Sequence, residues 1–227
     1  MDVTTDAVSL IDARIQQKHL LLHPFYRAWT CGRLPRLALV DYARQYFCHV
    51  AAFPTYLSAL HSHTDDPAMR RHIISNLMDE EAGNPNHPEL WLQFAETLGV
   101  SREQVSSTEP WPETQALVST FRSVCRDGSI VAGIAALYAY ESQIPKVAEA
   151  KLEGLERFYR FTRPEGLAYF KTHIEADREH SRVEREMLAA SVGAANADDA
   201  LAATDATLDR LWAFLSAVEH RHALLPA

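Results

Sequence analysis

The feature that most constrains this chain is the spacing of its apolar residues, which is helical almost from end to end. There is no convincing β-hairpin signal and no internal repeat. Only 8 glycines occur in 227 residues, and no stretch is rich in Gly and Ser. That argues against β-sandwiches, Rossmann loops and flexible linkers. The breaks are short and punctuated by Pro, Gly and Asp. They predict a first helix over 5–19 with Asp6 near its start, and a short segment over His23–Ala28 ahead of Cys31-Gly32. A long helix runs from Leu34-Pro35 to about His63, with Pro54 expected to kink it. Asp65-Asp66-Pro67 caps a helix that ends near Glu81, before Gly83-Asn84-Pro85. His87-Pro88 opens the next, through Leu98-Gly99, and Ser101 with Gln104 resembles a capping box. Pro112 to Arg126 is helical. Ser129 to Tyr159 reads as one helix bent near Pro145, Arg163-Pro164 to Val192 as another, and 200–223 as the last. The fold class expected is all-α: one domain over 1–227, a single compact bundle of seven to nine helices with short connections.

Charge narrows the partners. The formal net charge is −8, and Lys occurs only at positions 18, 146, 151 and 171. This argues against nucleic-acid binding. No apolar run approaches 18 residues, so no membrane span is expected. Cys31, Cys48 and Cys125 are an odd number at unrelated spacings, as in reduced thiols of a cytoplasmic protein. The opening MDVTTDAVSL has no basic n-region and does not read as a signal peptide. A homodimer is compatible with all of this. Eleven histidines are the first hint of chemistry.

Three segments carry that chemistry. His173-x3-Asp177-x2-His180 places its side chains at i, i+4 and i+7, within a narrow arc of one helix face. The stripe continues through Phe170 and Glu184. Glu175, Arg178, Glu179, Arg182 and Glu186 occupy the opposite face and suit water. An inward His/Asp/His set needs polar partners or a metal, and a hydrogen-bonded network or a solvated face remains the bland alternative. In Asp79-Glu80-Glu81, Glu80 continues the stripe of Ile73 and Leu77, and His87 follows seven residues later across the Gly83–Pro85 break. An acidic helix end followed by a loop His would look the same. Glu141 ends the almost wholly apolar Ala135–Tyr140 run, either emerging to solvent or turning inward. Together Glu80, His87, Glu141, His173, Asp177 and His180 form the inventory that a two-metal bundle core requires. Imidazole and carboxylate without Cys suit Fe, Mn or Zn. Asp79 and Glu81 are candidates to orient the ligands. Tyr26, Tyr42, Tyr46 and Tyr140 fall in or beside the same segments, where Tyr is also a common core residue.

These residues resemble the CADD-like family, named for the Chlamydia protein associating with death domains, within the haem-oxygenase-like di-metal oxidases and oxygenases. The matching elements are Asp79-Glu80-Glu81, His87-Pro-Glu-Leu-Trp91, Tyr140-Glu141 and His173-x3-Asp177-x2-His180. The similarity runs from His23-Pro-Phe-Tyr26 to Met187. It implies a haem-oxygenase-like bundle without haem, with the six residues above as metal ligands. It implies a di-iron or iron–manganese site that activates O2 with an external reductant. The implied activity is synthesis of para-aminobenzoate for folate by a route that bypasses chorismate. The resemblance further implies that Tyr26 supplies the ring and Lys151 the amino group; Tyr42 and Tyr140, by their place on the site helices, are further catalytic candidates. Read without the resemblance, Lys151 lies between Glu149 and Glu153, a setting usual for a surface lysine. On one straight helix it would sit about 80° from Glu141.

Other functions fit the same fold. A di-iron oxygenase acting on a diffusible small molecule would use the same ligands. TenA-like thiaminases use a Cys nucleophile without metal, but no Cys here lies beside the motifs. Pyrroloquinoline-quinone synthases also work without metal and need a cationic pocket, whereas these Arg residues are scattered. A protein-binding adaptor would have no need of six inward ligands.

Overall fold

The computed structural model describes residues 3–223, and their side chains from residue 7 onward. The role assigned to Asp6 therefore lies outside the described side chains. All regular structure among the described residues is helical. Its order is α1 (Val3–Gln17), a 3-10 turn (Leu20–Leu22), α2 (Pro24–Thr30), α3 (Arg36–His61), α4 (Pro67–Glu81) and α5 (His87–Thr97). There follow α6 (Arg102–Ser106), α7 (Pro112–Asp127), α8 (Ile130–Glu141), α9 (Ile144–Phe158), α10 (Glu165–Ser191) and α11 (Ala197–Arg221). Ten helices remain once the five-residue α6 is set aside, against the seven to nine expected. One cause is the Ser129–Tyr159 segment. It is two helices, because the turn at Ser142–Gln143 ends α8 and restarts the chain at Ile144-Pro145. Pro54 lies inside α3, which stays helical on both sides of it.

The helix starts follow from local chemistry. The Asp66 carboxylate accepts hydrogen bonds from Ala68 N and Met69 N ahead of Pro67. Ser101 and Gln104 form the reciprocal capping box. Asn86 Oδ1 accepts from Glu89 N at 3.0 Å, which fixes His87 as the first residue of α5.

Helix α8 is the centre. Every side chain from Val131 to Glu141 is buried, as the run VAGIAALYAYE demands. Helices α7, α10 and α11 surround it, and α3 packs on α4, α5 and α7. Two glycines allow close approach. A Cβ on Gly133 would lie 2.3 Å from Leu60 Cδ1, and one on Gly154 would lie 2.6 Å from Trp29 Cδ1. The second contact lets α9 settle against α2. There Trp29 Nε1 donates to the Lys151 carbonyl at 3.2 Å. Buried Gln143 joins the α8–α9 turn to the 3-10 turn by accepting from Leu20 N at 2.8 Å. No helix among the described residues is long and apolar enough to cross a membrane.

Candidate metal centre

The i, i+4, i+7 stripe of α10 faces inward as its spacing requires. His173, Asp177, His180 and Glu184 are buried, and Glu175, Arg178, Glu179, Arg182 and Glu186 are exposed. Around this stripe the fold gathers all six candidate ligands, each between 1% and 9% exposed. They fall into two groups. Glu80 at the end of α4, His87 at the start of α5 and His173 form one. Glu141 at the end of α8, Asp177 and His180 form the other. Within each group the potential ligand atoms lie within 4.8 Å of one another.

The ring orientations follow from their outer contacts. His173 directs Nδ1 to the Tyr169 carbonyl at 2.8 Å, which leaves Nε2 facing Glu80 at 4.0 Å. His180 directs Nε2 to Asp79 Oδ2 at 2.9 Å, which leaves Nδ1 facing Glu141 and Asp177 at 3.3 and 3.6 Å. His87 Nδ1 lies 3.0 Å from Glu80 Oε1. Asn76 Nδ2 donates to both oxygens of Glu141, at 3.0 and 3.3 Å. Such outer partners fix tautomer and orientation in metal sites. Asp79 takes that place, whereas Glu81 is exposed to solvent.

Electrostatics test whether cations fit. Glu80, Glu141, Asp177 and Glu184 are all buried. Among the described residues, no Lys or Arg pairs with any of them. Burial, with Glu141 nearby, pushes Asp177 and Glu184 well above the usual carboxylate range. Burial also pushes His173 down to about 3, so its imidazole is neutral. His180 goes the other way. Burial opposes its charge, yet Asp177, Glu141 and Asp79 hold it at about 11. Its proton is the cation that the second group has without a metal. Several inward atoms make no well-aligned hydrogen bond, even where a carboxylate is near: His87 Nδ1, His180 Nδ1, Asp177 Oδ2 and both oxygens of Glu184. Buried polar atoms left so cost free energy. Ions bound by imidazole and carboxylate would satisfy the first three. The residues fit a pair of metal ions.

Tyrosines lead away from this centre. Tyr140 precedes Glu141, and its hydroxyl lies 2.6 Å from that of Tyr46. The Tyr46 ring stacks on Tyr42 at 5.3 Å, and the Tyr42 hydroxyl lies 3.3 Å from that of Tyr26. Lys151 is 3% exposed, which corrects the surface position that its acidic neighbours suggested. The reset at Ser142–Gln143 turns its face of α9 inward. Its Nζ donates to the Tyr42 hydroxyl at 2.7 Å and lies 5.6 Å from the Tyr26 ring centroid. Burial without an acidic partner lowers it to about 7. Sequence reasoning missed three further residues around the centre: Asn76, Tyr169 and His49. The only signal for them was a polar or aromatic side chain on an otherwise buried stripe.

An all-helical bundle holding two imidazole–carboxylate groups defines a class of non-haem redox proteins. The chain belongs to the family described as "Iron-containing redox enzyme", with the haem-oxygenase-like fold, whose model matches residues 40–213. It is 46% identical over 212 residues to a 4-aminobenzoate synthase of Chlamydia pneumoniae, covering 93% of this chain and 94% of that protein. It is 41% identical over 222 residues to a 4-aminobenzoate synthase of Nitrosomonas europaea, covering 93% and 90%. Among solved structures, a CADD-like protein of unknown function from Nostoc punctiforme superposes with a TM-score of 0.77. That match has 17% identity and covers 96% of this chain and 99% of the other; it bears on the fold.

Proposed function

We propose that this chain makes 4-aminobenzoate in an O2-dependent reaction at a two-metal centre, and that the product is built from its own Tyr26 and Lys151. The observation that carries this reading is the buried amine of Lys151, set among Tyr26, Tyr42 and Tyr46, with Tyr46 in turn hydrogen-bonded to Tyr140 beside Glu141. Glu80, His87 and His173 would hold one ion, and Glu141, Asp177 and His180 the other, as iron with iron or iron with manganese. When bound, the ions would supply oxidising power by activating O2 with electrons from an external reductant.

The remaining work belongs to the chain. Tyr26 already carries a para-substituted ring with one further carbon, the skeleton of 4-aminobenzoate. Its Cα–Cβ bond breaks, Cβ is oxidised to the carboxylate carbon, and Cα stays in the chain. The Lys151 nitrogen condenses at the ring carbon that bears the oxygen, which leaves as water, and hydrolysis of the oxidised Nζ–Cε linkage leaves Cε as an aldehyde. O2 accepts the electrons released. A pKa of about 7 leaves a substantial fraction of this amine neutral near pH 7, with its lone pair free. Tyr42 positions it by hydrogen bond, while Trp91 and Phe170 wall the pocket from water. The cavity bounded by both ligand groups measures about 10 Å³, room for a water, and a second of about 80 Å³ runs past Asn76, His180 and Glu184.

The test is incubation of metal-loaded protein with reductant and O2, without added amino acid. At most one 4-aminobenzoate per chain is expected by mass spectrometry, with position 26 and position 151 altered in peptide maps. Tyr26→Phe should keep its metal and yield none. Many turnovers from added tyrosine, with residue 26 intact, would replace this reading with an oxygenase acting on a diffusible substrate.

A further inference from the structure

The inward stripe of α3 carries Tyr42, Tyr46, His49, Phe53 and Tyr56. One of these makes no hydrogen bond in the fold and has no part in the chemistry above. His49 is fully buried, and neither ring nitrogen has a hydrogen-bond partner. Its neighbours are rings: Phe121 at 4.8 Å, Tyr140 at 5.0 Å, Tyr46 at 5.4 Å, and Tyr56 and Phe53 beyond. An imidazole held this way forfeits its hydrogen bonds to water, whereas a phenylalanine of similar shape would forfeit none. Burial pushes it down to about 3, so the ring is neutral. It then offers one N–H donor and one acceptor nitrogen.

His49 edges the cavity of about 10 Å³ described above. The same cavity touches Glu80 and His173 of one ligand group, Glu141 and Asp177 of the other, and Tyr140 and Tyr169. Its size suits one water-sized occupant, and such an occupant needs two to four polar partners. The carboxylates here can only accept when ionised, although burial pushes Asp177 towards its protonated form, and Tyr140 is engaged with Tyr46. His49 is the imidazole on this wall that belongs to neither group.

We propose that His49 is a binding residue of this cavity, hydrogen-bonding a water-sized ligand held between the two groups: a water in the metal-free protein, and a small anion or oxygen-derived ligand in the loaded one. The second half rests on the two-metal reading; the first does not. Two variants separate hydrogen bonding from packing. His49→Phe keeps shape and removes the bond, and His49→Gln restores a donor and an acceptor. Azide is the probe for iron-loaded protein, followed by absorption. Azide affinity should fall at least tenfold in His49→Phe, about 1.4 kcal/mol, and recover in His49→Gln. Iron content should be unchanged, and the melting temperature of His49→Phe should be no lower than that of the parent. Undiminished azide binding in His49→Phe would overturn the proposal. So would loss of iron together with azide, which would make His49 a structural residue. Should the parent protein fail to take iron, the two-metal reading falls and a crystal structure of metal-free protein decides the rest. An ordered water within hydrogen-bond distance of the His49 ring supports the proposal, and an empty cavity refutes it.

Discussion

Replacing Lys151 by Met removes the one lysine buried among the described residues and keeps a side chain of similar length. In the folded protein the amine holds its proton only below about 7, against an ordinary value of 10.5. Between these values the unfolded chain binds the extra proton, so burying Lys151 destabilises the fold, and the penalty grows as pH falls. At 1.36 kcal/mol per pKa unit, the penalty is about 4 kcal/mol at pH 7 and about 2 kcal/mol at pH 9. The lost hydrogen bond to Tyr42 returns about 1 kcal/mol. Lys151→Met should therefore be about 3 kcal/mol more stable than the parent at pH 7. That advantage should shrink by about 2 kcal/mol on going to pH 9. Urea unfolding of the two proteins at identical metal loading, at pH 7, 8 and 9, measures the difference directly, because other titrating groups cancel. A difference that does not change with pH would show that Lys151 keeps an ordinary pKa, and would remove the physical basis for a neutral amine beside Tyr26. The same variant should make no 4-aminobenzoate.

Metal uptake should release protons. Because the folded value of His180 is raised to about 11, the stabilisation from its charge is complete below 6.5 and lost as pH rises through 11. At pH 7.5 an ion must displace that proton, so affinity should weaken by up to about tenfold per unit of acidification; calorimetry showing no dependence on buffer ionisation would contradict this. Asp79→Ala, which frees the outer nitrogen of His180, should cost about 10–100-fold in metal affinity. Glu81→Ala, one helix position from the candidate ligand Glu80 but exposed, should cost nothing measurable in the same competition assay.

Much of the candidate centre was legible because its parts obey helix periodicity. The spacing of His173, Asp177 and His180 survives in the structure unchanged, and so do the starts at Asp66-Pro67 and Ser101. Glu80 and His87 were harder. No helix phase crosses the Gly83–Asn86 break, and only folding brings the two within 3.0 Å. Lys151 was misplaced by its neighbours, since a phase carried from Glu141 has no meaning once the turn at Ser142–Gln143 starts a new helix. Its environment is set by Tyr26, Tyr42 and Trp29, far away in sequence, and by the gap that Gly154 leaves. His49 offered only its polarity on an apolar stripe, and a lone imidazole there looks the same whether it is satisfied or not.

Helix α10 donates to both ligand groups, His173 to one and Asp177 with His180 to the other. The interval between the two is therefore written into a single rod, about two turns from His173 to His180 at 1.5 Å per residue. Loops elsewhere can lengthen or shorten and leave that interval alone. A residue inserted between positions 173 and 177 would swing Asp177 and His180 about 100° around the axis while His173 stayed in place. Half the centre would be lost in a protein whose helices all still form. Along this stretch the tolerance for insertion and deletion should drop to zero, although exchanges of the outward Glu175, Arg178 and Glu179 leave the interval intact.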